Sequence, residues 1–301
     1  MAVSVGPWKD KSAEEVDKEI EWKRGNEICS VEEVPGEGTD DVQHIRLFSD
    51  KIEPSDIGQG QLGDCWLMTA LACLSEFPGA IQNIFETDEY NPRGRYVVRL
   101  YCGQKRRWES IVVDDHIPVK RGTDTPIFAK PNGKELWVAL LEKAFAKFVG
   151  NYQKLDGGFA IWGLQAMTGD QVANWMLEEG VWKAYEIRYR QIKGQKGLKA
   201  DDIPEEDPAP ICGSAPANPD RADKNDIAFY RTLDEKKKHL QMQPTDFFDQ
   251  LCQWDQEQCV IAASTSGKDE GTSTAQSGLV QGHAYSVIEC KKIEDGHTYA
   301  T

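Results

Sequence analysis

The positions of apolar residues along this chain predict its helices and strands. The leucine-rich run that begins at Cys65 has helical spacing and predicts a helix over 65–77, and a similar stripe predicts a helix over 135–149. Between these helices, the runs at 95–101 and 108–113 flank Cys-Gly-Gln at 102–104 and predict the two strands of a hairpin. The first half of the chain therefore combines helices with antiparallel strands.

The second half of the chain contains a segment of very different composition. Residues 190–243 are rich in lysine, glycine, acidic residues and proline, which bury too little apolar surface to offset the entropy of ordering, so we predict a surface excursion. Before it, the pattern predicts a helix over 170–179. After it, a helix capped by Thr245, a buried strand over 259–263 and a strand opened by His283 follow.

Charge and cysteine content narrow the possible classes of protein. The 50 acidic and 35 basic side chains give a net charge of −15, which argues against a nucleic-acid or anionic-membrane partner. No run reaches the roughly 18 apolar residues of an integral membrane segment, and the first residues lack the apolar core of a signal peptide. Eight cysteines are too sparse for a disulfide scaffold. We therefore expect reduced thiols and a cytoplasmic protein.

Cys65 is the first candidate for chemistry, because the sequence places it at the first turn of an apolar helix. The unpaired N–H groups and the dipole at a helix start favour a thiolate over a thiol. Gln59, six residues earlier, can donate a side-chain N–H to an oxyanion that forms close to the sulfur. Most free cysteines are instead small buried hydrophobic residues, so position alone leaves both interpretations of Cys65 open.

His283 is the second candidate and lies far downstream, in the segment Gly-His-Ala-Tyr-Ser-Val. A lone histidine at the start of a strand is usually structural. A cysteine with a distant histidine is nevertheless the sequence form expected of a thiol hydrolase, because the two side chains meet only in the folded state. Cys65 and His283 together therefore indicate nucleophilic catalysis.

Five motifs, in the same order, resemble those of the calpain family of intracellular papain-like cysteine proteases. Two of them contain the candidate residues, at 59–67 and 278–287. The others are Glu-Trp-Lys-Arg at 21–24, a strand ending in paired aspartates at 112–118, and a helix with Glu-Leu-Trp at 135–137. The resemblance covers residues 20–189 and 244–301.

The resemblance implies an α+β, papain-like cysteine protease fold with two subdomains that flank a substrate cleft. In this interpretation residues 1–45 are an N-terminal extension, and residues 46–169 form the first subdomain with the catalytic cysteine. Residues 170–301 form the second subdomain, which has an antiparallel sheet, the catalytic histidine and an insertion at 190–243. We expect this second subdomain to be incomplete.

The resemblance also implies a role for each candidate residue. Cys65 matches the family's nucleophile, His283 matches the group that accepts its proton, and Gln59 matches the side chain that helps to hold the oxyanion. The third catalytic residue of the family, an asparagine in an Asn-Pro-Trp-Gly motif, would fall beyond Thr301. We therefore expect the chain to be a fragment that is inactive or weakly active by itself.

Calcium is the cofactor that the resemblance implies. Asp56, nine residues before Cys65, and Glu135 match carboxylate ligands of the family's first subdomain. Carboxylate oxygens from separate loops, completed by backbone carbonyls, are ligands that suit calcium. Where the family has a glycine-rich stretch that supplies carbonyls, this chain has Phe-Ser-Asp-Lys-Ile at 48–52, which departs from the pattern.

The predicted function is limited proteolysis of intracellular proteins by a calcium-regulated cysteine endopeptidase with polypeptide substrates. One alternative is a calpain-like regulatory or interaction module that has kept the fold and lost the activity. Another is a thiol acyltransferase on the same fold, although the resemblance extends well beyond the catalytic pair. Retention of Cys65, His283 and Gln59 favours the protease.

Overall fold

The computed structural model describes residues 13–29, 45–48, 51–103, 105–191, 227–233, 241–265, 279–292 and 298–300. In these ranges the α-helices are α1 (Ala13–Glu19), α2 (Gly25–Ile28), α3 (Cys65–Ser75), α4 (Trp137–Val149), α5 (Ala160–Thr168) and α6 (Pro244–Gln256). Short 3-10 helices cover Pro54–Asp56, Gln82–Ile84 and Tyr152–Leu155.

The strands form small antiparallel sheets. Those of the first half are β1 (Ile20–Arg24), β2 (Arg95–Cys102), β3 (Arg107–Asp114) and β4 (His116–Lys120), which pair as β1 with β4 and β2 with β3. Those of the second half are β5 (Asn174–Glu178), β6 (Val181–Gln191), β7 (Ile227–Leu233), β8 (Ile261–Ser264), β9 (Ala284–Val287), β10 (Cys290–Lys292) and β11 (Thr298–Ala300). They form a β5-β6-β7 sheet, a β8–β9 pair and a β10–β11 pair. Helices with antiparallel sheets confirm the expected α+β class.

The main core lies between α3, α4, α5 and the β2–β3 hairpin. Leu67 and Leu71 of α3 are completely buried, as are Trp137 and Leu140 of α4. The N-terminal elements belong to the same core, because Val16 of α1 is buried in it and β1 is hydrogen-bonded to β4. Helix α3 is therefore fixed by apolar contacts along its length.

The periodic patterns of the first half are confirmed by this architecture. The predicted helices at 65–77 and 135–149 appear as α3 and α4, each slightly shorter than predicted. The predicted hairpin appears as β2 and β3, which pair from Arg95 opposite Asp114 to Cys102 opposite Arg107.

The helix predicted over 170–179 is wrong, because five of its ten residues, Asn174–Glu178, form strand β5. Glu179 and Gly180, with φ angles of +52° and +81°, connect β5 to β6. A two-residue connection with positive φ at both positions matches the twist of a β-hairpin, so the turn favours strand pairing over a helix. Trp182 of the hairpin then stacks on Phe247 of α6, with ring centroids 4.1 Å apart.

Parts of the segment at 190–243, which was predicted to be a surface excursion, belong to strands β6 and β7. Strand β6 continues to Gln191, and β7, which lies inside the segment, pairs with it so that Gln191 is opposite Ile227. Residues 192–226 and 234–240 lie outside the described residues. After the segment, α6 begins at Pro244 with Gln243 at the N-cap, so the predicted cap at Thr245 is wrong, and Thr245 lies inside the helix.

Helix α3 also contacts the β8–β9 pair, which belongs to the second half of the chain. It packs against β9 and, to a smaller extent, against β8. The Cys73 thiol of α3 donates a hydrogen bond to the carbonyl of Ile261 at 3.3 Å. The fold therefore places the helix that begins at Cys65 against the strand that follows His283.

The cysteines depart from the sequence-based expectation at one position. Reduced thiols are present at Cys29, Cys65, Cys73, Cys252, Cys259 and Cys290. Cys102 is disulfide-bonded, so the expectation that all thiols are reduced is wrong there. Among the described residues, no helix has the length and apolar character needed to span a membrane.

Candidate active site

The loop before α3 is held tightly by its neighbours. A Cβ on Gly60 would lie 2.2 Å from the carbonyl oxygen of Phe128, so only glycine fits this approach of two backbones. The amide of Gln61 donates to the carbonyl of Ile127 at 2.9 Å, and that of Gly157 donates to Gly63 at 2.7 Å. These contacts fix the chain that leads into Cys65.

Cys65 is the first residue of α3 and is half-buried. The amides of Leu67 and Met68 donate to the carbonyl of Asp64, at 2.8 and 3.1 Å, so the helix starts at the residue that carries the thiol. The next residue, Trp66, is buried, and its indole N–H donates to the carbonyl of Leu155 at 2.9 Å. The sulfur therefore lies at the positive end of a rigid helix, where negative charge is favoured.

His283 lies directly before β9, after a turn in which Gly282 has a φ of +63°. Its backbone is bonded to Thr265 in both directions, because the Thr265 amide donates to its carbonyl at 3.0 Å and its amide donates to the Thr265 hydroxyl at 3.1 Å. Its ring meets Tyr285 edge-on, with centroids 5.0 Å apart. The sequence-based position of His283 at the start of a strand is confirmed.

Gln59 lies in the same loop as the thiol. Its side-chain nitrogen donates to the carbonyl of Leu62 at 2.9 Å and approaches Oδ1 of Asp64 at 3.5 Å. The amide is thus held with its donating end towards the residues just before Cys65.

Two buried acids beside this loop were not singled out by sequence reasoning. Asp64 and Glu142 are buried and are hydrogen-bonded to each other. Burial raises the pKa of Asp64 to about 7, against a smaller lowering by the hydrogen bonds from Glu142 and Gln59. Burial, followed by the charge of Asp64, raises the pKa of Glu142 well above its ordinary value. The available sequence signal was a carboxyl group inside the apolar run of α4.

Asp56 and Glu135, the predicted calcium ligands, both lie around Asn132. Asp56 accepts hydrogen bonds from the side chain of Asn132 at 2.8 Å and from the amide of Glu53 at 2.7 Å. Glu135 accepts from the indole of Trp137 at 3.0 Å, and its amide donates to the carbonyl of Asn132 at 3.0 Å. Both carboxylates are buried. Over the described ranges, no group of three or more acidic, histidine or cysteine side chains is arranged to hold a metal ion.

The paired aspartates, at the last residue of β3 and the residue after it, both bond to basic side chains. Asp115 is completely buried and forms an ion pair with Arg24 of β1. Lys143 of α4 bonds to Asp114 at 2.8 Å and to the carbonyl of His116 at 2.7 Å. Burial alone would raise the pKa of Asp114, but hydrogen bonds from Lys143 and His116 hold it at about 2. These residues join β1, β4 and α4 and have a structural role.

The sequence as a whole was compared with known families. The model described as calpain family cysteine protease matches residues 3–202 and 223–300, which is most of the chain. The chain belongs to the calpain family. Membership confirms the papain-like fold and the identification as a calpain-type protease core that the sequence motifs implied.

Individual calpain relatives give the same result. The chain is 32% identical to the calpain-type cysteine protease DEK1 of Zea mays over 253 residues, which is 83% of this chain and 9% of the maize protein. It is 31% identical to the calpain-type cysteine protease ADL1 of Oryza sativa over 92% of this chain and 10% of that protein. It is 34% identical to the calpain-2 catalytic subunit of Bos taurus over 57% of this chain and 22% of the subunit. The calpain chain described here thus spans a small part of these relatives.

Proposed function

We propose that this chain is the protease core of a cysteine endopeptidase in which Cys65 is the nucleophile and His283 accepts its proton. The observation that supports this most strongly is the packing of α3 on β9. This packing connects the helix that begins with the half-buried thiol of Cys65 to the strand that follows His283. The two residues are far apart in sequence. Neither residue is needed to complete the apolar core.

The proposed reaction has two stages. In the first, the Cys65 thiolate attacks the scissile carbonyl carbon, the C–N bond breaks, and His283 gives its proton to the leaving amine. In the second, water attacks the thioester and releases the acid, while the proton of the water passes to His283 and returns to the sulfur. Gln59 and the backbone N–H of Cys65 stabilise the oxyanion of each stage. In comparable sites, each such donor lowers the barrier by about 3–4 kcal/mol.

The substrate in this proposal is an extended polypeptide. It lies between a subdomain of residues 46–169 and a subdomain of residues 170–301, preceded by the extension at 1–45. Residues 190–243 are an insertion into the second subdomain. The proposed activity is limited proteolysis of intracellular proteins in the cytoplasm, and family membership and the acidic composition support this proposal.

Calcium regulation belongs to the same proposal, with Asp56 and Glu135 as carboxylate ligands. The donor set suits a hard cation, because it comprises the buried carboxylates of Asp56 and Glu135 and the carbonyl oxygen of Asn132, which bonds to the backbone of Glu135. Asp56 and Glu135 would hold the ion, and its positive charge would link the 3-10 helix at Pro54–Asp56 to the segment before α4. The hydrogen bond from the Asn132 side chain to Asp56 also joins these two segments.

A labelling experiment tests the nucleophile. At pH 6–7, iodoacetamide should modify Cys65 faster than the exposed Cys259, because a thiolate reacts and a thiol does not. Cys29 and Cys73 are internal controls that should react slowly, since burial raises their pKa values to about 11 and about 12. His283→Ala should remove the preference for Cys65. Equal rates at Cys65 and Cys259 in the unmodified chain would contradict the proposed nucleophile.

A thermal melt tests calcium. At a hundredfold excess over Kd, one bound ion stabilises the folded state by about 2.7 kcal/mol, which raises the melting temperature relative to a chelator. Asp56→Ala should abolish this increase, whereas Ala at the exposed Asp170 should leave it intact. An equal increase with magnesium, or none with calcium, would argue against both proposed ligands.

The alternative of an inactive interaction module is decided by hydrolysis of casein by a longer chain that includes the family's Asn-Pro-Trp-Gly segment. The protease proposal expects calcium-stimulated cleavage that Cys65→Ser removes. A folded, calcium-loaded protein that does not cleave casein would favour the interaction module.

A further inference from the structure

A pair of buried carboxyl groups lies directly before the proposed nucleophile. Asp64 is 0% exposed and Glu142, on α4, is 1% exposed. Their side chains are hydrogen-bonded to each other. Two carboxyl groups can form such a bond only when a proton lies between them, because an ionised carboxylate only accepts.

The hydrogen bonds around the pair require this proton. Both oxygens of Glu142 accept from the amide of Ala129, each at 3.1 Å, so this carboxyl group is fixed to the backbone. Oδ2 of Asp64 is buried and receives no donor from protein N–H or O–H groups in the described part of the chain. A proton carried by Glu142 and donated to Asp64 supplies the missing donor.

The neighbouring charges agree with one proton on the pair near neutral pH. Asp156, in the segment after the 3-10 helix at Tyr152–Leu155, is a second acid whose charge acts on Asp64. Burial, followed by the charge of Asp156, raises the pKa of Asp64, and burial, followed by the charge of Asp64, raises the pKa of Glu142. Because Oδ1 of Asp64 accepts from Gln59 and its Oδ2 has no donor among the described protein groups, the geometry favours Glu142 as the donor and Asp64 as the acceptor.

Helix capping does not explain the position of Asp64. It is the N-cap residue of α3, but its side chain makes no capping hydrogen bond. Its carbonyl receives the first amides of the helix, from Leu67 and Met68, and any residue supplies that carbonyl. The side chain instead turns inward, to Glu142 on one side and to Gln59 on the other.

We propose that Asp64 is a positioning residue that orients the amide of Gln59 beside Cys65, and that Glu142 holds Asp64 in place. The proposal rests on the proposed function, in which Gln59 donates to the oxyanion. An amide donates only through its nitrogen, and two acceptors, the carbonyl of Leu62 and Oδ1 of Asp64, both face that nitrogen. A reversed amide would place its oxygen against both acceptors.

The two contacts of the Gln59 amide differ in length and have different roles. The 2.9 Å bond to Leu62 keeps the amide in the loop. The 3.5 Å contact with Asp64 is weak enough to be exchanged for a stronger, charge-assisted bond to the oxyanion. Asp64 thus holds the donor in the correct orientation until the oxyanion forms.

A peptide aldehyde is the probe that separates this role from general damage. The Cys65 thiolate bonds to the aldehyde carbon, the C=O double bond becomes a single bond, and its oxygen takes the negative charge while the thiol proton stays on His283. The affinity for the aldehyde therefore depends on the oxyanion donors, whereas alkylation by iodoacetamide depends only on the thiolate. Both are measured on the same 301-residue chain, with folding checked by circular dichroism.

Four variants carry the test. Gln59→Ala should weaken aldehyde binding by about 100-fold, and Asp64→Ala by about 10-fold or more, with alkylation of Cys65 changed by less than about twofold. Asp64→Asn should bind the aldehyde almost as tightly as the parent, because its Oδ1 still accepts from Gln59 while its amide donates to Glu142. In the double variant Gln59→Ala with Asp64→Ala, the second substitution should cost almost nothing.

The outcomes distinguish this inference from the function on which it rests. If the parent chain does not bind the aldehyde, or if Gln59→Ala binds it equally well, the proposed function fails. If Gln59→Ala weakens binding but the effect of Asp64→Ala is undiminished in its background, only the positioning role fails. If Asp64→Ala does not fold, Asp64→Asn decides, because weakening as large as that of Gln59→Ala would overturn the inference.

Discussion

Substitution of Asp64 by asparagine should change how the stability of the protein depends on pH. The pKa of this acid is about 7 in the folded protein, against an ordinary value of 3.8, because of its burial. Between these two values the folded state binds more protons than the unfolded state, so the free energy of unfolding falls as pH rises. The stability that comes from this group is complete below about pH 4 and is lost as pH rises through about 7.

The size of the effect follows from the same two values. Each pH unit inside the window changes the free energy of unfolding by at most about 1.4 kcal/mol, which gives about 2 kcal/mol between pH 5 and pH 7. Asparagine at position 64 cannot titrate, so the variant lacks this loss. It also removes the charge that raises the pKa of Glu142, which acts in the same direction. The variant should therefore gain about 2 kcal/mol relative to the parent over this range.

Urea denaturation followed by tryptophan fluorescence at pH 5, 6 and 7 and constant ionic strength measures the difference. Asparagine at the exposed Asp170 is the matched control and should give a difference that does not vary with pH. A constant difference for Asp64→Asn would refute the burial argument. A variant that loses stability relative to the parent as pH rises would show that Asp64 is paired with a cation, contrary to the contacts described above.

Two further substitutions test the structural contacts around the site. Gly60→Ala should lose about 1–3 kcal/mol of stability, because its Cβ meets the backbone of Phe128, whereas Gly58→Ala meets only a side chain at 3.3 Å and should lose less in the same thermal melts. Arg24→Met should cost about 3 kcal/mol in urea denaturation, because it leaves the buried carboxylate of Asp115 without its partner, and a second change, Asp115→Asn, should recover most of the loss. Additive losses in that pair would contradict the ion-pair argument.

Local periodicity was sufficient to predict the elements that lie in the core of the first half. Helices α3 and α4 are long and buried on several sides, and strands β2 and β3 have eight residues each around a short turn, so their sequence patterns are long enough to be recognised. Strand β5 has only five residues, and its alternation is too short to exclude a helix. Its conformation is decided by the positive φ angles of the turn that follows it.

The polar partners in the core could not be predicted in the same way. Arg24 and Asp115 are separated by 91 residues, and nothing in either local sequence indicates the other. Asp64 and Glu142 are likewise joined only by the packing of α3 and α4 into one core. The candidate residues Cys65, His283 and Gln59 were found because they belong to recognisable motifs, and their catalytic roles remain proposals. Asp64 lies in one of these motifs, but nothing in the motif indicates that its side chain contacts Gln59 and Glu142.

The Asp64–Glu142 pair lowers the stability of the fold as pH rises through neutrality, so stability alone does not explain its presence. A buried carboxyl pair that loses stability through neutral pH is a poor device for holding α3 against α4, because apolar side chains of similar size would pack there without an ionisation penalty. The loop before Cys65 is already fixed by Gly60 and by backbone hydrogen bonds to Ile127 and Gly157. What apolar residues could not provide is an acceptor oxygen at the Gln59 amide. The pair is therefore better explained by the orientation of that donor than by the stability of the fold.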